Sequence, residues 1–200
     1  MTVVRVEWGL NGIRALSGTS AVFVIVDVLS FSTTVDIAVS KGAQIYPFPL
    51  GDQKAAETAA AEIGAILAKP RKTAGEQFSL SPQSMLAVVA GSKLMLPSPN
   101  GSRLSLEIRD KPVLTGCLRN AVAVAKAARL LAKDGDIAII PAGERWVDGS
   151  LRPAIEDWLG AGAIVDALGL PKGSVHELEV ADGDRAHYSK RTIDFEFDFP

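Results

Sequence analysis

Short apolar runs rich in β-branched residues alternate along this chain with alanine-rich segments of helical period. The runs predict strands at 3–7, 21–26, 44–48, 65–68, 93–97, 113–116 and 136–140. The periodic segments predict helices at 33–41, 52–63, 120–132 and 155–168. Strands buried on both faces read as continuous apolar runs, and a helix between consecutive strands is the connection that parallel pairing requires. The expected fold is therefore α/β, a three-layer sandwich with a mostly parallel sheet and helices on both faces. Asp52 and Asn120 stand where N-caps belong, and Gly42, Gly64 and Gly169 stand where helices stop.

Two segments depart from this alternation. Residues 69–84 are rich in Pro, Lys, Gly and Ser and predict a long surface loop within the domain. Near the end, IDFEFDF sets Ile193, Phe195, Phe197 and Phe199 against Asp194, Glu196 and Asp198. An extended strand there would be apolar on one side and acidic on the other, suited to docking on a sheet edge or on a second subunit of a homo-oligomer. Residues 175–191 are polar and aperiodic. The expectation is one domain over 1–200 with a divergent tail at 175–200.

Composition narrows the class. A 48% apolar share suits a globular core, and a net charge of −2 offers no basic field for nucleic acid. The single cysteine cannot form an internal disulfide, and no basic leader or membrane-spanning apolar run is visible, so cytoplasmic residence without membrane attachment is expected.

In open parallel sheets, ligands bind beyond the carboxyl ends of the strands. Asp27 follows the apolar run 22–26 and is succeeded by Ser30, Ser32, Thr33 and Thr34. Their hydroxyls and free backbone N–H groups are suited to an anion, and an acid beside an anion suggests a metal between them. The plainer alternative is that Asp27 bonds its own turn and the hydroxyls cap a helix. A second strand ends in LPSPNGSR, where a sharp turn aims the N–H groups of Gly101 and Ser102 at one spot beside Arg103; an ordinary tight turn is the alternative. A third ends in CLRN, with Asn120 capping a helix, Arg119 toward the crevice and Cys117 a small buried residue. The fourth runs into PAGERWVDGSLRPAIEDW. Here Glu144, Arg145, Asp148 and Arg152 crowd a loop, and Glu156 and Asp157 fall in a first helical turn, where acids also simply complement the dipole. The glycines of GAGAI follow helical residues and indicate close helix packing rather than a dinucleotide site. Phosphate-loop, serine-elbow and zinc-protease motifs are missing, and His176 and His187 both lie in the tail.

Together VIVDVLSFSTTV, SPNGSR, GCLRNA and AGERW with AIEDWLGAGAI resemble, in order, the signatures of the 2-phosphosulfolactate phosphatase family, over about residues 22–168. The resemblance implies a magnesium-dependent α/β acid phosphatase associated with coenzyme M biosynthesis. It implies Asp27, Glu156 and Asp157 as magnesium ligands, and Asn100, Gly101, Ser102, Arg103 and Asn120 around the substrate. Ser32, Thr33, Arg119 and Arg145 complete the expected contacts to a small phosphorylated acid, with Asp27, Arg103 and Asn120 closest to the chemistry. Two departures bear on substrate: the family has Arg where Ser30 stands, and commonly Gly-Glu-Arg where Gly75, Glu76 and Gln77 stand. Losing a charge-assisted partner from a buried anion costs about 1.5–3 kcal/mol. Arg119, Arg145 and Arg152 are the cations available in compensation. The expected activity is magnesium-dependent hydrolysis of a small phosphate monoester. The competing expectations are a non-catalytic sensor of a phosphorylated metabolite and a structural protein assembled through its tail.

Overall fold

The computed structural model describes residues 2–75 and 77–169. Each helix and strand that the pattern predicts within them is present, with ends shifted by at most two residues. Strand β1 (Val4–Val6) leads through helix α1 (Gly9–Leu16) to β2 (Ser20–Val26), and α2 (Phe31–Ser40) leads to β3 (Gln44–Pro49). Helix α3 (Gln53–Ile63) and the short β4 (Ile66–Leu67) precede the long loop, which ends in a 3₁₀ turn at Pro82–Ala87. Then follow β5 (Lys93–Ser98), α4 (Gly101–Glu107), β6 (Val113–Gly116), α5 (Ala121–Ala132) and β7 (Asp136–Pro141). A small antiparallel hairpin, β8 (Glu144–Arg145) and β9 (Leu151–Arg152), leads into α6 (Ile155–Ala167).

The strands form two parallel sheets rather than one. The first has the order β1-β7-β2-β6 and the second β3-β5-β4. Periodicity reveals that a strand is buried but not which neighbour it pairs with, so the division is invisible in the pattern. The crossover through α2 leaves the first sheet, and the one through α4 returns to it.

Alternation along the central strands builds the three layers. Val22, Val24 and Val26 of β2, with Ile137 and Ile139 of β7, pack against Val124, Ala125 and Ala128 of α5 and Ala161 and Ile164 of α6. The intervening Phe23, Ile25, Ala138 and Ile140 face Ile13 and Leu16 of α1 and Leu104 of α4. The second sheet has its own core, where Leu94 and Leu96 of β5 meet Phe31 and Ala38 of α2 and Met85 of the 3₁₀ turn.

Small residues set how closely α6 approaches. A Cβ on Gly160 would stand 2.8 Å from Val28 Cγ2 and 2.9 Å from Val26 Cγ1, and one on Gly116 would stand 2.5 Å from Ile164 Cδ1. Gly160 is thus a packing glycine, as expected of GAGAI, while Gly162 faces open space. Asp52 caps α3 by accepting from Ala55 N at 2.8 Å. Asn120 occupies the cap position of α5, but its side chain turns back to its own loop. Helices α1 and α4 were not predicted, because glycines interrupt the first and the Pro-Asn-Gly string before the second reads as a turn. Glu76, both histidines and the alternating segment at 193–199 lie outside the described residues.

Candidate functional site at the seam of the two sheets

Asp27 stands one residue beyond the end of β2, where the chain leaves one sheet for the other, and is 8% exposed. Its carboxylate links both sheets. Oδ1 accepts from Phe31 N at 3.2 Å, in the first turn of α2, and Oδ2 accepts from Gly101 N at 2.8 Å, where α4 begins after β5. Ser32 braces the same turn from inside: its hydroxyl accepts from Asp27 N at 2.9 Å and donates to Ile25 O at 3.2 Å. Only glycine fits at 101, since a Cβ there would lie 2.2 Å from Phe31 Cδ1. That contact brings α4 close enough for its first N–H to reach Asp27.

Asp157, in the first turn of α6, is 4% exposed and joins the loops after β2 and β7. Oδ1 accepts from Val28 N at 2.7 Å and Oδ2 from Gly143 N at 2.9 Å. Gly143 adopts a φ of +65°, a conformation that disfavours any side chain, and this aims its N–H at the carboxylate. The stacked Trp8 and Trp158 rings, with centroids 5.6 Å apart, hold the start of α6 against the residue preceding α1.

Burial, helped by neighbouring carboxylates, raises both acids. Asp27 is pushed above the ordinary carboxylate range by burial, and Glu144 nearby adds to this. The N–H groups of Phe31 and Gly101 and the charge of Arg71 act in the opposite direction. Asp157 is pushed up to about 7, chiefly by burial and then by the charges of Asp27 and Glu156, against the N–H groups of Val28 and Gly143. Glu144 also accepts from Asn100 Nδ2 at 3.0 Å, so the turn before α4 and the hairpin after β7 are tied together beside Asp27.

Other expected residues are placed as follows. Gly101 and Ser102 are buried at the start of α4, but the Gly101 N–H is directed at Asp27 rather than at an open anion site. The Ser102 hydroxyl donates to Leu96 O at 2.6 Å. Thr33 donates to Val28 O at 2.7 Å, so its hydroxyl, like that of Ser32, serves the backbone. Asn120 accepts from Cys117 N and donates to Thr115 O, which orders the β6–α5 turn. Arg119 pairs with Asp36 at 3.0 Å. Arg145 donates to Gly149 O at 2.8 Å within the hairpin, and Arg152 lies over the Trp146 ring at 5.7 Å. Arg103 is exposed on α4.

The expected trio Asp27, Glu156 and Asp157 does not form a cage. Among the described residues, no group of three or more His, Cys, Asp or Glu is arranged to hold a metal ion. Glu156 is half-buried beside Asp157, whereas Glu144 is the further acid felt by Asp27. A depression of about 410 Å³ lies elsewhere, lined by Ile66, Leu67, Lys69, Gln77 and Phe78.

Arg71 is the site residue that sequence reasoning missed. It sits in the polar loop after β4, without periodicity or motif to mark it, and its Nη2 reaches the Ser30 hydroxyl. Among the described helices, none is long and apolar enough to cross a membrane.

Sequence comparison identifies the family. Residues 13–194 match the family described as 2-phosphosulpholactate phosphatase. The 2-phosphosulfolactate phosphatase of Methanothermobacter thermautotrophicus is 34% identical over 159 residues, covering 74% of this chain and 62% of that protein. The probable 2-phosphosulfolactate phosphatase of Parasynechococcus marenigrum is 34% identical over 152 residues, covering 72% and 60%. The alignments thus span about three fifths of the length of these relatives. With a match across most of its length and relatives at this identity, the chain belongs to the 2-phosphosulpholactate phosphatase family.

Proposed function

We propose that this protein is a phosphoric monoester hydrolase acting on a small phosphorylated acid, and that Mg²⁺ assists it. The names of its relatives make 2-phosphosulfolactate, cleaved to sulfolactate and phosphate, the first substrate to test. The observation that carries the reading is Asp27: a buried carboxylate at the seam of two parallel sheets, fixed by N–H groups from the starts of two helices. Such rigid placement is what phosphoryl transfer demands, since positioning and electrostatics supply most of the acceleration.

The donor set suits Mg²⁺, which favours hard oxygens and takes one or two protein carboxylates, with water and substrate phosphate completing its shell. Asp27 would hold it, with Asp157 and Glu144 adding negative charge around it. Each oxygen of Asp27 accepts one N–H and retains a lone pair. The ion would supply charge neutralisation at the phosphoryl oxygens. The chain's own groups do the rest. Asn100 holds Glu144 in place, and Asp157 locks the loops after β2 and β7 into one rim.

A phosphate-release screen over small phosphorylated hydroxy acids, with and without Mg²⁺, tests the reading. Release from at least one of them, abolished by Asp27→Asn in a folded variant, is the expected result. Tight binding without release by the wild-type protein would instead establish a sensor, and full turnover in the variant would remove Asp27 from the chemistry.

A further inference from the structure

The cluster at the seam is acidic, yet its proposed ligand is an anion. Glu144 bears on Asp27, and Asp27 and Glu156 bear on Asp157, each as a repelling charge. Of the cations expected beside them, Arg119 is engaged with Asp36, Arg145 with the hairpin carbonyl and Arg152 with Trp146, while Arg103 is exposed on α4. Arg71 differs. Its Nε and Nη2 donate to Leu80 O at 3.2 and 2.9 Å, and Nη2 also donates to the Ser30 hydroxyl. That same Leu80 carbonyl accepts from the Ser30 hydroxyl and, at 3.2 Å, from the Thr34 hydroxyl. One carbonyl thereby fastens the long loop to the first turn of α2, three residues beyond Asp27.

So anchored at Ser30, three residues beyond Asp27, the guanidinium forms no ion pair among the described residues. A guanidinium has five N–H donors, and among the described residues Nη1 has no hydrogen-bond partner. With Nε and Nη2 held by Leu80 and Ser30, the guanidinium keeps its charge and both Nη1 donors for an oxygen of an arriving anion.

We infer that Arg71, delivered by the 69–84 loop and seated against Ser30, is the anion-binding and specificity-determining cation of this site. Its ligand is an anionic oxygen of the substrate, either of the phosphoryl group or of a neighbouring carboxylate. The inference rests on the functional reading above but can be decided separately from it.

The test compares 2-phospholactate with isopropyl phosphate, which has the same skeleton without the carboxylate, using the full chain in its wild-type, Arg71→Gln, Arg71→Lys and Thr34→Val forms. Arg71→Gln is expected to raise KM for 2-phospholactate about 10- to 100-fold, the loss of one charge-assisted contact, with partial recovery in Arg71→Lys. A KM rise confined to 2-phospholactate assigns Arg71 to the carboxylate; an equal rise for both esters assigns it to the phosphoryl group. Thr34→Val loosens the same loop anchor while keeping the charge, and a small effect there is expected. Unchanged KM in a folded Arg71→Gln protein overturns the inference, as does an equal loss in Thr34→Val. If the wild-type protein releases no phosphate from these two esters or from any in the screen above, the hydrolase reading fails; where 2-phospholactate is not turned over, calorimetric titration with it decides the role of Arg71. Weaker binding in Arg71→Gln upholds it, and no difference from wild type removes it.

Discussion

Two buried aspartates anchor the candidate site, and they should respond differently to change. Asp27 has both oxygens on backbone N–H groups, so Asp27→Asn presents an amide NH₂ to one of two buried donors. An unmatched buried donor costs about 1–3 kcal/mol. Asp27→Asn should therefore lower the urea midpoint as well as abolish turnover. Asp157 titrates near neutrality, because burial and the charges of Asp27 and Glu156 lift it from 3.8 to about 7. A carboxyl whose folded pKa lies above its unfolded value gives stability that is fully present below the unfolded pKa. That stability is lost as pH rises through the folded pKa. With divalent ions chelated, the wild-type protein is expected to lose stability between about pH 4 and pH 7. Asp157→Asn should flatten that slope while being less stable at the acidic end, since its NH₂ faces Gly143 N–H. Urea melts across this pH range check both; an unchanged slope in the variant would assign the titration to another group.

The elements show which parts of the sequence speak plainly. Buried strands such as β2 announce themselves through unbroken β-branched runs, and Asp27 through the abrupt end of one. The fastening of Asp27 to Gly101 was not legible, because 74 positions separate them and it depends on Phe31 packing against a missing side chain. Helix α4 was hidden for a related reason: its first residues carry turn chemistry and only become helical when tied to β2. Arg71 lay in a loop whose polar composition says surface and nothing about which carbonyl it will meet. The glycines of α6 were legible as packing residues, and the structure separates them. Gly160→Ala should cost about 1–3 kcal/mol by overpacking against Val26 and Val28, and should loosen Asp157 with it. Gly162→Ala, two residues on and in open space, should gain up to about 1 kcal/mol in helix propensity. Thermal melts of the pair provide the check; equal effects would mean that α6 does not rest on β2 through Gly160.

At the scale of the whole molecule, the division into two sheets concentrates like charge at one place. Each sheet has its own core, so the fold could be completed without a carboxylate at the seam; Asp27 is instead held there against the cost of its burial. An ion binding only the folded protein would offset that cost and stabilise the chain by mass action, by about 2.7 kcal/mol at a hundredfold excess over Kd. For a domain of this size that amounts to a rise of roughly 5–10 °C in Tm. The rise is expected with Mg²⁺ over a potassium salt of equal ionic strength, and is expected to vanish in Asp27→Asn. A persisting rise in the variant would locate the cation elsewhere on the molecule. No rise in the wild-type protein, with or without inorganic phosphate, would mean that any phosphate release at this seam depends on the protein's own groups, Arg71 among them.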